Sequence, residues 1–89
     1  MLKISHTSQF KRDYKKYRTN QDLKEALKEA LAYLVSGKPL PSHFKDHPLK
    51  GDKSECRECH LSPNILLLYR IQDEVLILIR IGSHSNLFD

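Results

Sequence analysis

Residues Ile65–Ile81 read ILLLYRI QDE VLILIRI. Two runs rich in Ile, Leu and Val flank three polar residues, the pattern of two strands joined by a tight hairpin at Gln72-Asp73-Glu74. Both runs are apolar at odd and even positions alike. A strand turns successive side chains to opposite faces, so this pair is expected at the centre of a sheet with both faces covered. Arg70 and Arg80 interrupt the pattern, and a charge there needs a partner or an exposed edge.

Outward from this pair, Ser62-Pro63-Asn64 is turn chemistry, and Glu55–Leu61 before it supplies the third strand of an antiparallel meander. At the other end, Leu2-Lys3-Ile4-Ser5-His6 alternates apolar and polar residues, as a short edge strand does. Ser8 can cap a helix with Phe10, Tyr14 and Tyr17 on one face. Lys11, Arg12, Lys15, Lys16 and Arg18 then form a solvated basic face. After a short break at Arg18 to Asn20, the turn of a helical hairpin, Leu23, Ala26, Leu27, Ala30, Leu31 and Leu34 recur at helical spacing. Gly37 can close this second helix in a left-handed cap, and Pro39 and Pro41 bar its continuation. From Pro39 to Lys53 runs a polar loop carrying His43, Lys45, His47 and Lys50, and a loop of that length in a small domain is commonly functional. The order β-α-α-β-β-β with a short tail makes an α+β domain of two layers over residues 1–89.

Eighty-nine residues suffice for one modest core. The longest apolar runs, Ile65–Tyr69 and Val75–Ile79, hold five residues each, against the about 20 that a membrane helix needs. The first ten residues lack the apolar segment of a secretory signal, so a cytoplasmic location is expected, with both cysteines reduced. Lys and Arg number 15 against 11 Asp and Glu, a net charge of +4 that favours a polyanionic partner.

The segment Cys56-Arg57-Glu58-Cys59-His60 has the form C-x-x-C-H of a c-type haem attachment. On a strand, however, the two thiols point to opposite sides, and one haem edge cannot reach both. His43-x3-His47 with Cys56-x2-Cys59 has the separate spacings of a zinc site. Pro48 keeps those histidines off a continuing helix, and no glycine turns a knuckle between the cysteines. Packing as small hydrophobes is the preferred reading of both thiols.

Three further segments work together: KDHPLKG at residues 45–51, R-x-x-H at 57–60 and G-S-H-S-x-L-F at 82–88. With SQFKRDYKK in the first helix they resemble the YafQ branch of the RelE-type bacterial toxins, over nearly the whole chain. That resemblance implies a small twisted antiparallel sheet with helices on one face. It implies an endoribonuclease, an mRNA interferase acting at the ribosome without a metal, and a small acidic antitoxin as partner. It matches His47, His60, His84 and Phe88 to the family's motif positions, and Arg57 and Arg80 to its basic ones. Where the branch commonly has an acidic residue after the turn proline, this chain has Asn64, so no role carries over there.

RNA cleavage by the 2′-hydroxyl leaves a 2′,3′-cyclic phosphate and a 5′-hydroxyl. It needs a base, an acid and positive charge on the phosphoryl oxygens. Imidazole serves either proton role near neutrality. His84 is the expected acid, with His60 or His47 as base and Glu58 a second candidate, since on a regular strand Glu58 shares a face with His60. Arg80, with Arg57 and Lys45, is expected on the phosphate, and Phe88 on a base. The alternatives are a binding module that does not cut and a zinc-stabilised structural domain.

Overall fold

The structure is a computed structural model that describes residues 1–51 and 55–88, so Asp52 and Lys53 of the expected loop lie outside the described residues. The elements are β1 (Lys3–His6), α1 (Ser8–Tyr14), α2 (Gln21–Val35), a 3-10 turn (Ser42–Phe44), β2 (His47–Pro48), β3 (Arg57–His60), β4 (Ile65–Gln72), β5 (Val75–Ser83) and α3 (His84–Phe88). The strands form one sheet in the order β1-β5-β4-β3-β2.

The expected hairpin is the middle of this sheet. Asp73 and Glu74 make its two-residue turn, both with positive φ (53° and 65°). That turn matches the right-handed twist of the strands it joins. β4 and β5 bury apolar side chains on both faces, as their apolar residues at odd and even positions demand. On one face Leu67, Tyr69, Leu76, Leu78 and Ile81 join Phe10 of α1 and Leu23, Leu27, Ala30 and Leu34 of α2. On the other, Leu66 and Leu68 pack with Leu87 of the tail.

Local chemistry sets the helix ends. Thr7, one residue before the expected cap, accepts from the Phe10 N–H at 2.9 Å. Asn20 does the same for Leu23 at 3.1 Å. Gly37 (φ 72°) ends α2, with Lys38 N–H donating to the Tyr33 carbonyl and Gly37 N–H to Leu34, a Schellman closure. α1 stops at Tyr14, and Tyr17 reaches the core from the turn beyond it.

Three features depart from the sequence expectation. The sheet is mixed, because β1 runs parallel to β5, pairing Lys3 with Val75 through His6 with Leu78. α1 and α2 return the chain to the far side of the sheet, so β1 and β5 enter in the same direction. The long loop contributes a fifth strand, the two-residue β2. The tail folds into a third helix, because Leu87 covers the second apolar face. Among the described residues, no helix is long and apolar enough to cross a membrane.

The strand arginines have the partners their position requires. Arg70 reaches Glu55 at 3.3 Å in an exposed pair. Arg80 donates through Nε and Nη2 to Asp13 on α1 at 2.9 and 3.0 Å. Asp13 also accepts from Gln9 and from the Ile81 N–H. Burial alone would raise the Asp13 carboxyl, but the Arg80, Gln9 and Ile81 hydrogen bonds outweigh it and hold its pKa below the ordinary value.

Alternation along β3 separates the C-x-x-C-H groups. Cys59 is wholly buried with the helix-side core, while its neighbour His60 faces the opposite side. Both cysteines are free thiols. Burial, with the charges of Asp46 and Glu58 adding to it, pushes the Cys59 thiol up to about 12.

Two measurements check these packing claims. Asp13→Ala leaves the Arg80 guanidinium and the Ile81 N–H without their acceptor and should cost about 3 kcal/mol in urea unfolding at pH 7. A carboxylate depressed in the folded state contributes stability that is complete above its unfolded pKa of about 3.9 and is lost as pH falls through its folded value. Stability of the parent chain should therefore drop below about pH 4, more steeply than that of Asp13→Asn. With iodoacetamide at pH 8, half-buried Cys56 should be alkylated in the native protein and Cys59 only after denaturation.

Candidate functional site

The face of the sheet away from α1 and α2 carries Glu58 and two of the histidines that the sequence singles out. Residues directly opposite in an antiparallel pair project to the same side. His47 pairs with Glu58, Glu58 with Leu68, and His60 with Leu66, so His47, Glu58 and His60 share the face of the second core. Glu58 is buried, at 6% exposure. Its Oε1 lies 3.5 Å from Nε2 of His47 and 3.5 Å from Nε2 of His60. The two imidazoles are 6.2 Å apart between centroids. These are contacts that can tighten when a substrate proton arrives between the groups.

His47 is oriented from behind. Its Nδ1 lies 2.7 Å from the Lys45 carbonyl, which can only accept, so Nδ1 carries a proton. Nε2 faces Glu58 Oε1, to which it can donate when the ring carries both protons. Lys45 makes this possible by taking a left-handed conformation (φ 50°, ψ 43°) at the end of the 3-10 turn. The backbone of Lys45 thus has a definite task, while its side chain stands exposed at the rim.

The tail reaches the same face from the other end of the chain. α3 begins directly after β5, with the Ser83 hydroxyl accepting from the Asn86 N–H at 3.3 Å. Leu87 seats on Leu66 and Leu68, and a Cβ on Gly82 would stand 3.4 Å from the Leu87 side chain. Such a Cβ would make an ordinary van der Waals contact, so the tail packs closely here without depending on glycine. His84 and Phe88, one turn apart, hold their rings 4.8 Å from each other. His84, Ser83 and Ser85 line an open cleft of about 460 Å³ together with His60, Pro63 and Asn64. His60 thus belongs both to the Glu58 group and to the cleft that holds His84. The position where an acidic residue was expected, Asn64, is part of that cleft.

The two site arginines fare differently. The register places Arg80 opposite Leu68, on the face of Glu58 and His60. A bulge at Ile79 turns it towards α1, where Asp13 takes Nε and Nη2. Arg57, expected on the substrate, pairs instead with Tyr69, whose side chain belongs to the helix-side core. Its Nε and Nη2 donate to Asp46 at 3.2 and 3.1 Å. Alternation along β3 makes this unavoidable, since Arg57 precedes Glu58 by one residue.

Two residues here escaped the sequence reading. Asp46 lies in the KDH segment beside the histidine that drew notice, and Tyr69 hides in an apolar run. The Tyr69 hydroxyl donates to Asp46 in a short hydrogen bond. A buried tyrosine whose polar tip must find a partner was the available signal.

His47, Glu58 and His60 each offer one ligand atom within 4.8 Å of the others, a donor set that suits a divalent transition-metal ion. Among the described residues neither cysteine joins this group.

Comparison with known proteins agrees with the fold. Residues 2–89 match the family described as bacterial toxin of type II toxin-antitoxin system, YafQ. The mRNA interferase toxin YafQ of Escherichia coli K12 is 33% identical over 86 residues, covering 96% of this chain and 94% of that protein. The crystal structure of a copper-bound mutant toxin from Helicobacter pylori is 41% identical, with a TM-score of 0.93 over 99% of this chain and 100% of that one. The toxin in the E. coli DinJ-YafQ toxin-antitoxin complex is 31% identical, with a TM-score of 0.86 over the full length of both chains. This chain belongs to the YafQ family of bacterial toxins of type II toxin–antitoxin systems.

Proposed function

We propose that this chain is an endoribonuclease that cleaves mRNA at the ribosome, in the cytoplasm, through 2′-hydroxyl attack with imidazole acid–base catalysis. One observation carries the reading. Glu58 holds His47 and His60 at 3.5 Å each, and His60 opens onto the cleft that contains His84. Histidines far apart in the sequence thereby border one surface. The relatives' activity as mRNA interferases supports RNA as the substrate class.

The His47–Glu58–His60 group takes the proton from the 2′-hydroxyl, and His84 across the cleft gives one to the departing 5′-oxygen. The 2′-oxygen forms its bond to phosphorus as the bond to the 5′-oxygen breaks. Arg80, held at its Nε and Nη2 by Asp13, offers Nη1 to the charge on the phosphoryl oxygens. Phe88, against the His84 ring, gives a base a surface to stack on. The exposed Lys45 side chain adds positive charge beside His47. A transition-metal ion would be held by His47, Glu58 and His60 and, when bound, would take up the lone pairs that proton transfer needs. The DinJ complex of the E. coli toxin supports a cognate antitoxin, and a small acidic chain suits this chain's +4 charge.

Mapping mRNA 5′ ends after brief induction tests the reading. Cleavage should appear with the parent chain and fall by about 100-fold or more in His84→Ala, the range for loss of a general acid. A 2′-deoxy substitution at the cut nucleotide should abolish cutting. Growth arrest with intact mRNA would instead indicate a binding module. Zn2+ or Cu2+ should inhibit the purified chain and a chelator restore it; activation by either ion would rule out the metal-free route.

A further inference from the structure

The segment that carries His47 has little ladder to hold it. β2 is two residues long, and one of them, Pro48, has no N–H to donate. The side chains around it supply what the ladder does not. Phe44, 1% exposed, anchors the approach in the helix-side core. Asp46 is then gripped from two strands at once, by Nε and Nη2 of Arg57 on β3 and by the hydroxyl of Tyr69 on β4. Arg57 and Tyr69 are direct cross-strand partners, so the grip is part of the sheet register.

These two donors are unequal. The Arg57 side chain is 43% exposed, and water competes for a guanidinium in that position. Tyr69 is 1% exposed, and its hydroxyl has nowhere else to turn. Burial, reinforced by the hydrogen bond to Asp46, raises the Tyr69 pKa, so the hydroxyl stays a donor at any working pH.

We propose that Tyr69 and Asp46 are a positioning pair for His47. The hydroxyl fixes the carboxylate, and the carboxylate fixes the backbone on the helix side of the sheet. Alternation then throws the next side chain, His47, to the opposite face, onto Glu58. The same backbone setting brings the Lys45 carbonyl under Nδ1 and selects the tautomer whose Nε2 faces the site. Neither Tyr69 nor Asp46 touches the substrate; both act through His47. The proposal rests on the reading that His47 takes part in proton transfer.

The test is a double-mutant cycle combined with imidazole NMR on the purified full chain. Tyr69→Phe keeps the ring and its packing, and Asp46→Asn keeps the size of the acceptor. Each should lower single-turnover cleavage by about 10- to 100-fold, as small misplacements of a reacting group do. Each should also change the pH profile. In a His47→Ala background, Tyr69→Phe should have no further effect. Long-range 1H–15N spectra should show the protonated Nδ1 tautomer of His47 in the parent chain and a mixture of tautomers in Tyr69→Phe. Unchanged His47 spectra overturn the proposal, as does an equal loss of rate with and without His47. If His47→Ala cuts at the parent rate, the role given to His47 fails, and the spectra alone decide whether the pair positions its ring.

Discussion

Burial of the β4–β5 pair on both faces is the constraint from which the rest of the molecule follows. Both strands carry apolar side chains on both of their faces, so neither face can be left wholly to water. α1 and α2 cover one side with the stripe Leu23, Leu27, Ala30 and Leu34. They are on that side only, which leaves Leu66 and Leu68 to the tail. α3 is therefore a consequence of the central strands. Leu87 needs that patch, and in reaching it α3 places His84 beside the end of β3. The element that completes the core is also the one that brings the His84 imidazole to the cleft lined by His60.

Carboxylates organise the cations of this basic chain. Asp13 holds Arg80 and the β5 backbone, Asp46 holds Arg57 and Tyr69, and Glu58 stands between two imidazoles. Asp13 and Glu58 are buried, where a charge without partners would be costly. Asp13 meets that requirement with an arginine and two further donors. Glu58 meets it with histidines, groups that can gain or lose a proton near neutrality. Asp13 clamps an arginine that stays charged and Glu58 contacts groups that can exchange protons, so the difference lies in the partners rather than in the acid.

Much was legible in the residues themselves. The hairpin at Asp73 and Glu74, the caps near Ser8 and at Gly37, and the alternation that sends Cys59 inward are local effects. Each depends on a few neighbouring residues and on the period of a strand or helix. The pairing of Glu58 with His60 on one face is of the same kind, because it needs only an unbulged strand. The amphipathic pattern of α2 gave its buried face for the same reason.

Other features depend on distances the chain order does not hold. A short edge strand at Lys3–His6 was foreseeable, but its parallel direction depends on where two helices return the chain. Arg57 and Arg80 looked alike as basic residues in strands. Only register and a bulge at Ile79 decide that one lies opposite Tyr69 and the other opposite Leu68. The tail's third helix and the grip of Tyr69 on Asp46 likewise join residues separated by many others. The sequence alone determined the two N-terminal helices, the edge strand and the three-stranded meander, because these follow from side-chain period. The tertiary structure decided which cations serve the fold and how the histidines border one surface, because those outcomes are set by sheet register and by what must cover each apolar face.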